Sequence, residues 1–402
     1  MTTKPTYTPA IRFPDFANDG EWEVKKLGDI VEVVNDKCSI DGLDIDTYIS
    51  TENMLQNLEG VKKAAKLPDS GSFTRFQKSD ILFSNIRPYL KKVWQAEFDG
   101  AASNDVIVFR ALNDFDNQFV SQIIKSDVFI AHTMSGAKGV KMPRGDKNVM
   151  LDYSVFIPRF SEQQRIAACL SAADEMIAST NGKLEQLKAY KKGLMQKLFP
   201  AKGKKLPELR FKEFEKDGEW EEKRLGDCFT ERIERNCSNL PLLSLTESDG
   251  IVLQEETNRK NNSNADKSKY LHVCVGDIAY NTMRMWQGRC AWVSIEGIVS
   301  PAYTICKPNE RMDSLFFFYL FKTPNAIELF HRNSQGLVND TLNLKYESFE
   351  KIKMYVPTYY EQRKIAFCFS VTDKTINAYT EKVAQLTEYK KGLMQRMFPT
   401  SK

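Results

Sequence analysis

The 41 residues FSEQQRIAACLSAADEMIASTNGKLEQLKAYKKGLMQKLFP, Phe160–Pro200, return as YYEQRKIAFCFSVTDKTINAYTEKVAQLTEYKKGLMQRMFP at Tyr359–Pro399. Tyr190–Pro200 and Tyr389–Pro399 share 9 identities in 11 positions, 199 residues apart. That period is too long for a solenoid, whose repeats run about 20–50 residues. It fits two copies of a whole domain, each with a trailing helix. Counting from Ile166, the 4,3 spacing lands on Leu170, Ala173, Ile177, Thr180, Leu184, Leu187, Lys191, Leu194 and Leu198. The second copy gives Ile365, Phe369, Thr372, Ile376, Tyr379, Val383, Leu386, Lys390, Leu393 and Met397. A mostly apolar stripe at this mean spacing is a coiled-coil pattern. Two matched stripes in one chain favour helices packed on each other. Ser161 with Gln164, and Thr358 with Glu361, predict capping boxes at the two starts. Pro200 and Pro399 end the helices. About 37 residues make a helix roughly 55 Å long.

Working outward, Ile11–Asp29 (IRFPDFANDGEWEVKKLGD) recurs at Leu209–Asp227 (LRFKEFEKDGEWEEKRLGD) with 12 identities in 19. Trp22 and Trp220 are expected as buried anchors. Thr47–Met54 and Leu242–Gly250 occupy matching places, as do Ser79–Trp94 and Gly276–Trp292, and these β-branched and aromatic runs read as strands. Asp116–Met134 and Asp313–Asn333 have helical spacing. A polar, Gly-containing loop follows each, Ser135–Asn148 and Asn333–Asn343. The expected plan is α+β: a domain over 1–158, a spacer helix over 159–200, a linker over 201–208, a second domain over 209–357 and a second spacer helix over 358–402. Two pseudo-symmetric globules on an antiparallel helix pair call for a partner with matching dyadic spacing, and duplex DNA is the obvious one.

Of the 402 residues, 42% are hydrophobic and 27% charged, as in an ordinary soluble globular protein. No apolar run approaches 18 residues, and the first residues lack the plan of a signal peptide. Eight scattered cysteines without a Cys-x-x-Cys pair indicate neither a zinc site nor a disulfide framework. Reduced thiols in a cytoplasm are the simplest reading. The net charge is only +4, so nucleic-acid binding needs its positive charge gathered on one surface.

Catalytic motifs are thin. Pro14-Asp15 followed by Glu23-Val24-Lys25 has the outline of a nuclease metal site, but the second copy has Lys212-Glu213 instead of Pro14-Asp15. Ser300-Pro301-Ala302-Tyr303 lacks the second proline of an amino-methyltransferase motif, and no Gly-x-Gly loop accompanies it. His132, His272 and His331 lie far apart in sequence. What remains is basic loop chemistry. Ser135–Asn148 carries Lys138, Lys141, Arg144 and Lys147 against Asp146, with glycines that let backbone approach a phosphate. Arg87, Lys91 and Lys92 follow a strand, as do Arg284, Gln287 and Arg289; Arg332 lies just before the second loop. Arg and Gln can read base edges bidentately, and Lys more often contacts phosphate. Frames match between the copies while loops differ, which suits two different half-sites. Ordinary surface charge accounts for any one of these residues taken singly.

Leu27-Gly28-Asp29, Asp80-Ile81, Arg87, and Pro158 with Glu162-Gln163 and Ile166 carry a resemblance. So do their second copies, Leu225-Gly226-Asp227, Asp277-Ile278, Arg284, and Pro357 with Glu361-Gln362 and Ile365. Over nearly its full length the chain resembles the specificity (S) subunit of type I restriction–modification systems. The resemblance implies two target-recognition domains that read a split DNA sequence, with the helices as a ruler between them. It implies that the spacer helices, with Glu162, Gln163, Ile166, Leu184, Leu187, Glu361, Gln362, Ile365, Val383 and Leu386, carry the partner contacts. The partners would be two modification subunits, which use S-adenosylmethionine to methylate adenine, and restriction subunits, which use ATP and Mg to translocate and cut DNA. The chain itself would then be non-catalytic and hold no cofactor. Ser248-Asp249-Gly250 departs from Asn53-Met54 of the first copy. The rival expectation is a coiled-coil scaffold that binds only proteins and has no salt-dependent DNA affinity.

Overall fold

The computed structural model describes residues 7–246, 250–257, 266–338 and 341–399. Ser248 and Asp249, where the second copy departs from the first, lie outside the described residues, as do two residues of the second polar loop. Two compact units form: Met1–Gly182 with Thr380–Lys402, and Lys183–Tyr379. Both divisions fall inside the long helices, Phe160–Lys197 and Tyr359–Met397. Each unit therefore holds one globular domain, the opening of that domain's own helix, and the closing turns of the other. Among the described residues no helix is long and apolar enough to cross a membrane.

In the first unit an antiparallel four-stranded sheet runs in the order Val31–Val33, Val106–Ala111, Ile81–Ser84, Val93–Gln95. Its inner strand, ILFS at Ile81–Ser84, is buried along its whole length, so an unbroken apolar run is what the position requires. A second four-stranded sheet, with one parallel pair, extends from it: Lys37–Cys38, Phe73–Phe76, Gly100–Ala102, Tyr48–Ile49. A ribbon of Glu23–Lys26 against Ser154–Ile157 ties the opening segment to the strand that leads into the long helix. The second unit repeats the main sheet strand for strand: Phe229–Glu231, Tyr303–Pro308, Ile278–Asn281, Cys290–Trp292. Its ribbon is Glu221–Arg224 against Lys353–Val356. Its second sheet is reduced to two antiparallel pairs, Leu243–Leu245 with Ile251–Leu253 and Leu271–Val273 with Gly297–Val299, linked by a parallel bridge of Leu242 to Ile298.

Two expectations need correction. Each stretch read as one helix is two. Ser126 adopts extended backbone and its Oγ accepts from the Phe129 amide, so Asn117–Lys125 ends and Asp127–Ser135 begins. Thr323 does the same for Ala326, with Pro324 supplying the first helical residue, which separates Ser314–Leu320 from Pro324–Asn333. The capping boxes are also absent as drawn. The first long helix starts one residue before Ser161, and Glu361 turns away from Thr358 to bind Arg210 at 2.9 and 2.7 Å.

The heptad stripe is buried or half-buried throughout. Within the first unit Met397 packs beside Ile166 and Leu170, while Lys390 meets Asp174; as one number rises the other falls, so the segments run antiparallel. Within the second, Phe199 stacks on Phe369 at 5.7 Å and Lys191 meets Asp373. A repeated ion pair thus accounts for the two lysines in apolar heptad positions. Lys390 Nζ lies 2.6 and 2.8 Å from the Asp174 carboxylate, and Lys191 Nζ lies 2.5 Å from that of Asp373.

The repeated Phe-Pro ends close the cores. Phe398 stacks on Phe119 at 5.5 Å and meets Trp22 edge-on at 6.2 Å. Phe199 packs on Phe316 at 5.6 Å, beside Trp220. The Ile11 amide bonds to the Arg396 carbonyl, and the Leu209 amide to that of Lys197, both at 2.9 Å.

Candidate nucleic-acid interface

In the first unit the strand Ile81–Ser84 runs out into Asn85-Ile86-Arg87 and a 3-10 turn, Pro88–Leu90. Arg87 and Lys91 flank that turn in left-handed backbone, φ 52° and 50°. Such a conformation in a side-chain-bearing residue persists only where surrounding structure fixes it. Here the second loop does so. The Arg87 amide donates to the Pro143 carbonyl at 2.8 Å, and the Gly145 amide to that of Asn85 at 3.2 Å. Lys138 and Arg144 exchange two backbone bonds of 2.9 Å, making a small hairpin of the Gly-Lys loop. A Cβ at Gly145 would lie 2.8 Å from Thr133 Cγ2 and 3.0 Å from Asn85 Oδ1, so glycine lets the two loops meet without displacing these neighbours. The short helix Asp127–Ser135 packs beneath the turn.

Loops about 50 residues apart in sequence therefore present one surface. Arg87, Lys138, Lys141, Arg144 and Lys147 are all exposed on it. Lys138 pairs with Asp146 at 3.1 Å and Arg144 with Asp105 at 3.2 Å. The Lys138 hydrogen bond and the Asn148 amide hold the Asp146 carboxyl below the usual carboxylate range. Exposed pairs of this kind contribute only about 0–1 kcal/mol, so a phosphate can exchange for either carboxylate. Lys92 is different. It is half-buried and donates to the Thr51 carbonyl at 2.6 Å; burial, helped by Lys62 and Arg87, lowers its pKa. That bond makes Lys92 a brace between its loop and Thr51, unlike the exposed Arg87. Lys91 is tied to Asp127.

The second unit builds the same frame with other side chains. Arg284, Gln287 and Arg289 are exposed around the turn Met285–Gln287, whose Met285 is buried. The Leu344 amide bonds to the Thr282 carbonyl at 2.9 Å, and Gln335 and Asn343 exchange backbone bonds of 2.9 and 2.8 Å. The helix Pro324–Asn333 packs on the turn. Arg332 pairs with Glu328, which also holds Lys202 at 2.7 Å. Lys322, which the sequence did not single out, donates to the Gly288 and Cys290 carbonyls at 2.7 and 3.0 Å and locks the turn. The loop tips carry exposed apolar side chains that sequence reasoning also missed: Val140 and Met142 in the first unit, Leu337 and Val338 in the second. Their one signal in the sequence is an apolar residue inside a polar loop.

The residues expected on the spacer helices divide. Glu162 and Gln163 are buried, as are Glu361 and Gln362. Glu162 accepts two bonds from Arg12 at 2.8 and 2.7 Å, which raise the Arg12 guanidinium above its ordinary pKa. Gln163 accepts from the Asp116 amide at 3.0 Å and donates to the Pro158 carbonyl at 2.9 Å. Gln362 repeats this with Asp313 and Pro357, both at 2.9 Å. These four side chains are buried and fasten each helix to its own domain. Ile166, Ile365 and Leu184 are buried; Leu187, Val383 and Leu386 are half-buried. The exposed apolar residues of the helices are others, among them Tyr190 and its copy Tyr389, Phe367 and Val371.

A second polar cluster lies in the second unit. His272, on the strand Leu271–Val273, is held on both ring nitrogens: Nδ1 lies 2.8 Å from Glu234 Oε2, and Nε2 lies 2.9 Å from Glu296 Oε1. Burial pulls the imidazole pKa down, but the two carboxylates outweigh it and the pKa is raised. Cys274 Sγ is 3.7 Å from Nε2. Two donor sets of metal-binding type share the ring, Glu234-Cys237-His272 and His272-Cys274-Glu296.

Residues 19–189 match the family described as the type I restriction modification DNA specificity domain. The type I restriction enzyme MjaVIII specificity subunit of Methanocaldococcus jannaschii is 23% identical, aligned over 93% of this chain and 91% of its own. A second type I specificity subunit of that organism, MjaX, is 24% identical over 93% and 92%. The crystal structure of the S subunit of a type I restriction–modification system from M. genitalium superimposes with a TM-score of 0.61 at 15% identity, covering 98% of this chain and all of that one. The repeated frame with its basic loops and the specificity-domain match define a DNA sequence-recognition protein without catalysis of its own. Over nearly its whole length the chain is similar to the specificity subunits of type I restriction–modification systems, and residues 19–189 carry the match to their DNA specificity domain.

Proposed function

We propose that each domain reads one part of a split duplex target through its pair of loops. In the first unit these are residues 85–92 and 135–148, and in the second 282–289 and 334–344. The observation that carries this is the repeated scaffold with unlike tips: the same strand, turn, underlying helix and cross-loop backbone bond, carrying Arg87, Lys138, Lys141, Arg144 and Lys147 in one copy and Arg284, Gln287, Arg289 and Arg332 in the other. Phosphate contacts set register and a few side chains specify bases. The long helices act as the ruler for the unread gap, and the chain assembles with other subunits of the system. Two modification subunits dock on the helices, with Tyr190, Tyr389, Phe367 and Val371 as exposed apolar contacts. S-adenosylmethionine is bound by those subunits, and ATP and Mg by restriction subunits, all in the cytoplasm.

The test is co-expression with the modification subunit, followed by mapping of methylated adenines in genomic DNA. A two-part motif with a fixed gap is expected. A stable complex that methylates nothing, or a single continuous motif, would overturn the two-reader proposal and restore the scaffold.

A further inference from the structure

The cluster around His272 is built like a metal site. Cys274 lies one residue past the strand that carries His272, and its Sγ comes to 3.7 Å from the ring on the same side. The antiparallel register pairs Val273 with Gly297, which sets Glu296 opposite Cys274 at the next position. The Cys274 amide is fixed by Asp277 Oδ2 at 2.9 Å. Three donors of different softness thus converge from two paired strands: an imidazole Nε2, a thiol and a carboxylate. Cys274 Sγ and Nε2 are 3.7 Å apart, close to the spacing of about 3.5 Å for two ligands lying about 2.0–2.3 Å from a tetrahedral ion. Glu296 sits nearer, at 2.9 Å from Nε2, but its side chain is half-exposed and can swing outward. The other ring nitrogen points at Glu234, the carboxylate–histidine pairing that orients a ligating imidazole.

We propose that His272 Nε2, Cys274 Sγ and Glu296 bind a zinc-type divalent ion, with Glu234 as the positioning residue and a water in the fourth place. Thiolate with imidazole selects a borderline-soft ion over magnesium or calcium. Binding displaces the thiol proton and any proton on Nε2, both released to solvent. The ion would tie Cys274 to Glu296 just past the ends of the paired strands Leu271–Val273 and Gly297–Val299. Sequence spacing could not show this, because the donors sit at 272, 274 and 296 with no paired-cysteine signature.

The full-length chain, stripped with chelator, should be titrated with cobalt(II). We expect one equivalent to bind with a thiolate-to-metal charge-transfer band that zinc then bleaches. Cys274→Ser should abolish the band, Cys237→Ser should keep it, and Glu296→Gln should weaken binding about tenfold or more. Zinc should raise the melting temperature of the wild type but not of Cys274→Ser. Circular dichroism of each variant checks that it is folded. No charge-transfer band in the wild type, or a band that survives Cys274→Ser and vanishes in Cys237→Ser, overturns the assignment.

Discussion

Arg87 illustrates how much one residue's backbone contributes. Its left-handed φ and the bond from its amide to Pro143 fix the backbone that carries the exposed side chain. If it reads a base edge, Arg87→Ala should cost about 1–3 kcal/mol on the cognate sequence and little on scrambled DNA. Lys138→Ala with Lys141→Ala should instead weaken both DNAs alike and shallow the salt slope by about 0.9 per lost phosphate contact. Both results come from one binding titration of the complex over a salt series. Equal losses on the two DNAs for Arg87→Ala would make it a phosphate contact. At this scale the sequence was legible in part. Charge and position marked Arg87 and the Gly-Lys loop. They could not separate Lys92, whose ammonium is spent on the Thr51 carbonyl, from its exposed neighbours. Glu361 was also misjudged, because a carboxylate at the start of a helix reads as a cap until the distant Arg210 is seen to claim it. Once such an ion pair is buried, removing one member costs about 3–5 kcal/mol.

At the scale of elements, the long helices were plain from their heptads, because a 3.5 spacing sustained over many turns is the mark of a seam between paired helices. The shorter helices were less plain. Ser126 and Thr323 sit within unbroken helical periodicity, and only their side-chain bonds to Phe129 and Ala326 show that the chain turns there. The two heptad lysines give a graded prediction. Lys390 is 9% exposed and bonds both carboxylate oxygens of Asp174, whereas Lys191 and Asp373 are each about a third exposed. Lys390→Ala should therefore lower stability by about 1.5–3 kcal/mol, the range for a charged hydrogen bond. Lys191→Ala should cost about 0.2–1 kcal/mol. Urea unfolding of both variants measures the contrast, and equal costs would show that burial does not set the strength of these pairs.

For the whole molecule, the internal repeat announced two copies of one domain on paired helices, and the main sheets agree strand for strand. The ruler proposal makes a prediction at this scale. Four residues inserted after Thr180 and four after Tyr379 add about 6 Å of helix, the rise of about two base pairs. The unread gap in the methylation motif should widen by about that much, and an unchanged gap would remove the helices from spacing. The second half was harder to read than the first. Its reduction of a sheet to two strand pairs, and the gathering of His272, Cys274 and Glu296, depend on pairings that leave no periodic mark in sequence.

The closing turns of each long helix complete a core begun elsewhere in the chain. Phe398 and Met397 cover Trp22, Phe119, Ile166 and Leu170, all of which leave the ribosome more than 200 residues earlier. At roughly 5–20 residues per second, an interval of about 200 residues lasts about 10–40 s. Throughout it the first domain has its sheets and ribbon but an uncovered aromatic face. The second domain has no such wait, since Leu194, Leu198 and Phe199 are made before the Trp220 core they join. The newborn first half is thus the aggregation-sensitive stage of synthesis, and the order of the repeat in time is asymmetric even where its order in space is not.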